Sequence, residues 1–224
     1  MKAYRLLVVA HPDDETIFFG GLLMNLRSLP WLVICVTDGN ADGRGAERHQ
    51  EFLNATKLLG VKKTEHWDFV DKYPDRLPID QLVARLQKLP KPKEIYTHGP
   101  VGEYGHPHHQ DVCLAVHRAF SGKAKIHSPA WNSNIEKVVK LSPAQFKKKT
   151  QAYSKIYGQE TTRFVNILPN MAIETFRQFT TTEVEAIVGF FRREKALDIK
   201  ALKEEAWLAD LLPGLRDRLE TRLF

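Results

Sequence analysis

Leu6-Leu7-Val8-Val9-Ala10-His11-Pro12-Asp13-Asp14-Glu15 decides how the rest of the chain reads. An apolar run of strand type ends in an imidazole and carboxylates just as a helix begins. That arrangement places metal-type ligands at the mouth of an α/β sheet, where such folds bind their ligands. Taken alone, the polar pentapeptide reads equally well as an ordinary helix start, with proline in the first turn and acids favoured by the helix dipole.

Outward from this stretch, strand-type runs alternate with helical periodicity. Strand over 5–10 is followed by helix over about 14–28, strand over 32–37, helix over about 45–60 and a short strand over 64–69. Helix over about 78–89, strand over 93–97 and helix over about 109–120 complete the alternation. Gly60, after Leu58-Leu59, stands where a helix C-cap belongs. This order predicts α/β architecture: a doubly wound parallel sheet with its ligands at the carboxyl ends of the strands. Beyond about residue 125 the pattern loosens, with a strand near 163–168 and helices near 142–156, 170–178 and 182–212. Thr182-x-x-Glu185 fits a capping box that starts the last of these.

The 224 residues suffice for one domain with a substantial core. Mean hydropathy of −0.35 is that of an ordinary globular chain. Apolar runs such as Leu32 to Val36 fall far short of the roughly twenty residues a membrane span needs, so no transmembrane segment is expected. The first ten residues lead straight into a polar motif and not into a cleavage site, which points to a cytoplasmic protein. Cys35 and Cys113 read as buried core thiols. The net charge of +6 is dispersed in short runs, Lys91-Pro92-Lys93, Lys147-Lys148-Lys149 and Arg192-Arg193, without interleaved aromatic residues. Solvated faces explain it better than a nucleic-acid groove, and an anionic substrate is the minority reading.

A second polar cluster, Tyr104-Gly105-His106-Pro107-His108-His109, follows another strand-like run. Five of the nine histidines, His98, His106, His108, His109 and His117, fall within twenty positions. Any one alone reads as incidental, but a loop and helix start this rich in imidazole reads as a metal or acid/base site. A hydrolytic zinc wants about three protein ligands and an open position. His11 and Asp14, at i and i+3, supply two; the distant histidine cluster supplies the third. Asp13, beside a ligand but pointing elsewhere, suits a general base, and an imidazole with a tyrosine hydroxyl from the second cluster suits oxyanion stabilisation.

At these residues the chain resembles the PIG-L, or LmbE-like, family of zinc-dependent N-deacetylases. The resemblance runs through Ala10-His11-Pro12-Asp13-Asp14-Glu15, Thr37-Asp38-Gly39, Arg48-x-x-Glu51 with Leu59-Gly60-Val61, and Tyr104-Gly105-His106-Pro107-x-His109. Tyr157-x-Gln159 and Glu174-x-Phe176 match more weakly. It implies a Rossmann-like fold over about 1–125 and a smaller carboxyl-terminal substrate region over about 126–224, within a single domain. It implies zinc held by His11, Asp14 and His109, Asp13 as the base, and His106 with Tyr104 stabilising the tetrahedral intermediate. Arg48, Thr37 and Asp38 would line the substrate pocket, and Glu15 would orient neighbouring carboxylates.

In one place the chain departs from the family pattern. His108 stands where the family has an aspartate that supports the catalytic histidine, so His106 loses an anionic partner unless Asp111 supplies one. The reading that follows is removal of an acetyl group from an N-acetylglucosaminyl moiety by water activated by zinc and Asp13. The alternatives are an amidase for another small conjugate, or a metal-containing sugar-binding protein without turnover.

Overall fold

Arg5–Val9 (β1) is buried along its whole length, as its unbroken apolar run requires. It pairs in parallel with Trp31–Thr37 (β2) on one side and Glu94–Thr97 (β4) on the other, with Leu6 opposite Leu32 and Ile95. Lys63–Phe69 (β3) extends the β2 side, and Lys125–Pro129 (β5) the β4 side, both parallel. Two further strands, Lys137–Lys140 (β6) and Ile173–Arg177 (β7), close that edge antiparallel, giving the order β3-β2-β1-β4-β5-β7-β6. The order reverses between β1 and β4, so the carboxyl ends of these two strands flank the crevice where a doubly wound sheet binds ligands. The computed structural model describes residues 3–131, 133–160 and 172–221; the strand expected near 163–168 lies outside them.

Alternation along β1 divides the core. Leu7 and Val9 pack with Leu22, Leu23, Phe52 and Leu59, from the helices Gly20–Asn25 (α2) and Gly45–Leu59 (α3). Leu6 and Val8 face the other way, onto Leu82 and Leu86 of Ile79–Leu86 (α4) and Val112, Val116 and Phe120 of Pro107–Phe120 (α5). Each such side chain contributes roughly 1.5–3 kcal/mol by leaving water, so strand and helices are held together on both faces. Gly60 is indeed the left-handed cap of α3, with φ of 90°. Both cysteines are buried and free.

The expected helix over 14–28 is two short ones, Asp14–Ile17 (α1) and α2. The break has a partner far off in sequence: the Glu174 carboxylate in β7 accepts hydrogen bonds from the Gly21 and Leu22 amides at 2.6 and 2.8 Å, and Lys149 Nζ completes a buried pair with it at 2.6 Å. Lys149 therefore belongs to the interior and not to a solvated basic run. The helix expected over 170–178 is strand β7 where it is described. Its alternation was masked because Glu174 and Arg177 are charged yet face inward, each meeting opposite charge. Strands β5 and β6 were not anticipated.

Pro143–Gln151 (α6) and a π turn over Ala152–Ile156 cover the helix expected near 142–156. The long final helix stops at Phe191: Thr181–Phe191 (α7) is followed by a 3-10 segment, Ile199–Asp210, and by Leu212–Thr221 (α8). The capping box of α7 sits two residues earlier than expected, between Thr180 and Glu183, while Glu185 pairs with Arg118 instead. No helix among the described residues is long and apolar enough to cross a membrane.

Candidate active site

The chain leaves β1 at Ala10, whose carbonyl accepts hydrogen bonds from both the amide and the hydroxyl of Thr37 at 2.9 and 2.8 Å. Thr37 thus braces the strand end instead of offering its hydroxyl to a ligand. Three residues on, Asp13 adopts φ of 117°, a region that non-glycine residues avoid at a cost of order 1–3 kcal/mol. Two side chains, Glu15 and Arg48, hold it there. Glu15 Oε2 accepts from the Asp13 amide at 3.1 Å, Arg48 Nη2 donates to the Pro12 carbonyl at 2.6 Å, and the same nitrogen lies 3.4 Å from Asp13 Oδ2. Tyr157 in turn donates its hydroxyl to Glu15 at 2.9 Å. Glu15 is therefore a buried brace for the Asp13 backbone, and burial pushes its carboxyl up to about 7. Burial likewise pushes the Asp13 carboxyl well up, opposed by the Arg48 guanidinium.

His11, Asp14 and His109 converge. His11 Nδ1 lies 3.3 Å from His109 Nε2 and 3.4 Å from Asp14 Oδ2, and His109 Nε2 lies 3.3 Å from Asp14 Oδ1. A tetrahedral ion bound at zinc distances sets its donors about 3.3–3.4 Å apart. Two imidazoles and one carboxylate at this spacing thus fit a first-row metal ion. Burial works against ionising Asp14, but the imidazoles of His109 and His98 outweigh it and hold the carboxyl well below its usual range.

A further layer orients these donors. Glu103 Oε2 faces His109 Nδ1 at 2.6 Å and His98 Nδ1 at 2.9 Å, and its other oxygen accepts from the Gly99 amide. Glu103 is buried, which raises its carboxyl, but the two imidazoles bring it down to about 2. The Ala10 amide donates to His98 Nε2 at 3.0 Å, tying the end of β4 to the end of β1. Glu103 sits in a turn of left-handed residues, with φ of 76° at Gly102 and 53° at Glu103. Only glycine fits the first of these, since a Cβ there would come within 2.5 Å of the His106 carbonyl. Neither Glu103, His98 nor Asp71 was singled out from sequence as a site residue. Asp71, just past β3, faces His11, His108 and Arg48 at 3.5, 3.5 and 3.7 Å. It stands just past a strand end, as Asp38 does.

His106 caps α5: its Nδ1 accepts from the His108 amide at 3.2 Å, so the hydrogen of the neutral ring sits on Nε2. Burial and the neighbouring His11 and His109 rings hold His106 well below the usual imidazole range. The ring packs edge-on to His11 with centroids 4.5 Å apart, and Tyr104 stands edge-on to His106 and His109 at 6.1 and 5.4 Å. His106 and Tyr104 are half-buried, so they reach the mouth while the donors lie beneath.

His108, Asp111, Asp38 and Arg48 each turn to definite partners. The His108 side chain does not partner His106; its Nδ1 lies 3.0 Å from His11 Nε2. Nor does Asp111 substitute, because its carboxylate is taken by Arg76, Arg192 and the Leu77 amide. Asp38 accepts from the Asn40 and Asp71 amides, which makes it a turn builder. Arg48 reaches the site through Pro12, Asp13 and Asp71, and among the described residues its buried Nε has no hydrogen-bond partner.

Fold and donors together define a class, a doubly wound α/β protein with a candidate metal centre at the switch point of its sheet. The chain belongs to the PIG-L family: residues 6–120 match it, under the description GlcNAc-PI de-N-acetylase. An uncharacterised protein of Acanthamoeba polyphaga mimivirus is 34% identical over 127 residues, 50% of this chain and 55% of that one. N-acetylglucosaminyl-phosphatidylinositol de-N-acetylase of Saccharomyces cerevisiae is 30% identical over 134 residues, 53% of this chain and 44% of the yeast protein. The chain thus spans about half the length of the curated relatives it matches. Among solved structures, N,N'-diacetylchitobiose deacetylase of Pyrococcus horikoshii superposes with a TM-score of 0.66 at 19% identity, over 80% of this chain and 85% of that one, a likeness of fold.

Proposed function

We propose that this chain is a zinc-dependent N-deacetylase acting on an N-acetylglucosaminyl group of a glycoside or saccharide. The observation that carries the reading is the His11, Asp14 and His109 triangle with the buried, strained Asp13 directly beside it. Bound there, zinc would supply a Lewis acid that polarises the amide carbonyl and makes water easier to deprotonate.

The chain's own residues divide the remaining work. Asp13, its proton affinity raised by burial, takes a proton from the attacking water and delivers it to the departing amine nitrogen. Arg48 and Glu15 keep Asp13 in its left-handed conformation, so that its carboxylate stays off the ligand set. His106, neutral with hydrogen on Nε2, donates to the oxygen that gains negative charge, and Tyr104 walls the same side. The products are acetate and a free amine. The named activities of the yeast relative and of the Pyrococcus neighbour support an N-acetylglucosamine-type substrate. Two buried free thiols suit a reducing, cytoplasmic compartment.

The test is acetate release from a panel of N-acetylglucosaminyl compounds, including N-acetylglucosaminyl-inositols and N,N'-diacetylchitobiose. Release that stops on chelation and returns with zinc supports the reading. Zinc-replete protein that releases no acetate from any of them contradicts it.

A further inference from the structure

We infer that His108 is a positioning residue that turns the Nδ1 lone pair of His11 toward the metal, work done for His109 by the Glu103 carboxylate. The inference rests on the metal reading above and concerns this chain's own departure from its family, a histidine where an aspartate is usual.

The argument is one of hydrogen placement along a chain of three groups. His108 Nε2 lies 3.0 Å from the Asp75 carbonyl oxygen, which only accepts, so that nitrogen carries a hydrogen. His108 Nδ1 lies 3.0 Å from His11 Nε2. Two ring nitrogens at that distance need one hydrogen between them. A His11 that binds metal through Nδ1 must carry its hydrogen on Nε2, so Nε2–H donates and His108 Nδ1 accepts. His108 is then neutral, with its tautomer set by a backbone carbonyl, and His11 Nδ1 is free toward Asp14 and His109 at 3.4 and 3.3 Å.

The geometry also separates His108 from its competitor. Asp71 Oδ1 faces His11 Nε2, but at 3.5 Å, and its other oxygen is turned to Arg48. The shorter contact is the imidazole. His108 is almost wholly buried, at 1% exposure, and its Nδ1 lies closer to His11 Nε2, at 3.0 Å, than to Asp71 Oδ1, at 3.5 Å. The two ligand histidines thus bind through opposite ring nitrogens, one backed by a carboxylate and one by a neutral ring.

The experiment measures zinc affinity by chelator competition for wild type, His108→Ala, His108→Asn and Asp71→Asn, with melting curves of the metal-free proteins to check folding. The zinc-loaded wild type is also examined by ¹⁵N NMR of its histidines. His108→Ala should bind zinc roughly 10–100-fold more weakly, the usual scale for removing such a partner. His108→Asn, whose amide oxygen can take the place of Nδ1, should recover most of the loss, and Asp71→Asn should cost less than His108→Ala. The spectra should show hydrogen on Nε2 of both His11 and His108. Wild-type affinity in His108→Ala, no recovery in His108→Asn, a larger loss in Asp71→Asn, or hydrogen on Nδ1 of His108 would each overturn the inference while leaving the metal reading intact. A wild type that binds no zinc overturns both.

Discussion

Helix α5 carries histidines at both ends, and the two ends behave in opposite ways. At its N-terminal end, both ring nitrogens of His108 and of His109 face polar or ionisable atoms within about 3.5 Å, among them Glu103, Asp14, His11 and the Asp75 carbonyl. Eight residues past His109, or about 12 Å along the helix, His117 is just as buried, yet its Nε2 has no hydrogen-bond partner among the described residues. Burial pushes that imidazole down to about 4, with only Glu185 opposing. Sequence density had grouped His117 with the others. The lesson is that five histidines in twenty positions are one cluster in the chain and two environments in space, because a helix carries its later residues away from the sheet edge where strand ends converge. One end is an arrangement of donors; the other is a core position occupied by a titratable ring.

The sharpest way to break the contrast is at the catalytic end. Asp13→Asn should keep bound zinc near the wild-type level while acetate release falls by roughly 10²-fold or more, the scale expected for losing a general base. Equal loss of zinc in the variant would make Asp13 a ligand and redraw the triangle.

At the far end of α5 the expected effect is on stability. The folded-state pKa of His117 lies below its unfolded value of 6.5, so the unfolded chain binds the proton more tightly. Stability is present above pH 6.5 and is lost as pH falls toward 4, by up to about 3 kcal/mol. Denaturant unfolding of His117→Leu should show a shallower loss across that window than wild type. Parallel curves would mean that His117 finds a partner in solution and is not the apolar counterexample it looks to be.

Smaller still is the effect of weakening the anionic support of His109. Glu103→Gln keeps the shape but removes the charge, and zinc affinity should fall by roughly 10–100-fold with the protein still folded. No change would mean that His109 is oriented by packing alone. The smallest effect lies away from both ends. Thr180→Ala, which removes the capping box of α7, should cost about 1 kcal/mol without altering zinc binding. A change in zinc affinity there would show that α7 reaches the site through its packing on α5.

What was legible in the sequence follows the same division. The parallel half, with β1 through β4 and their helices, could be read because buried parallel strands are unbroken apolar runs and the helices between them are periodic. His11, Asp14 and the neighbour Asp13 could be named because they adjoin a strand end and a helix start, whereas His109 was singled out within its histidine cluster only by the family resemblance. The antiparallel edge was not legible. In β7, Glu174 and Arg177 are inward-facing charges whose partners, Lys149 and Glu183, are not their strand neighbours, so the alternation looked like a helix with polar faces. Glu103 and Asp71 were missed for a related reason: a carboxylate that orients a histidine has no spacing of its own, only a position that the fold creates. His108 shows the limit most clearly, since its Nδ1 faces a histidine ninety-seven positions away.

The central claim is that the N-terminal end of α5, and not its histidine content, makes the metal centre. Elemental analysis of purified wild type, His109→Ala and His117→Ala tests it in one measurement. About one zinc per chain in wild type and in His117→Ala, with little in His109→Ala, is the predicted result. Zinc retained in His109→Ala, or lost from His117→Ala while that protein remains folded, would contradict it.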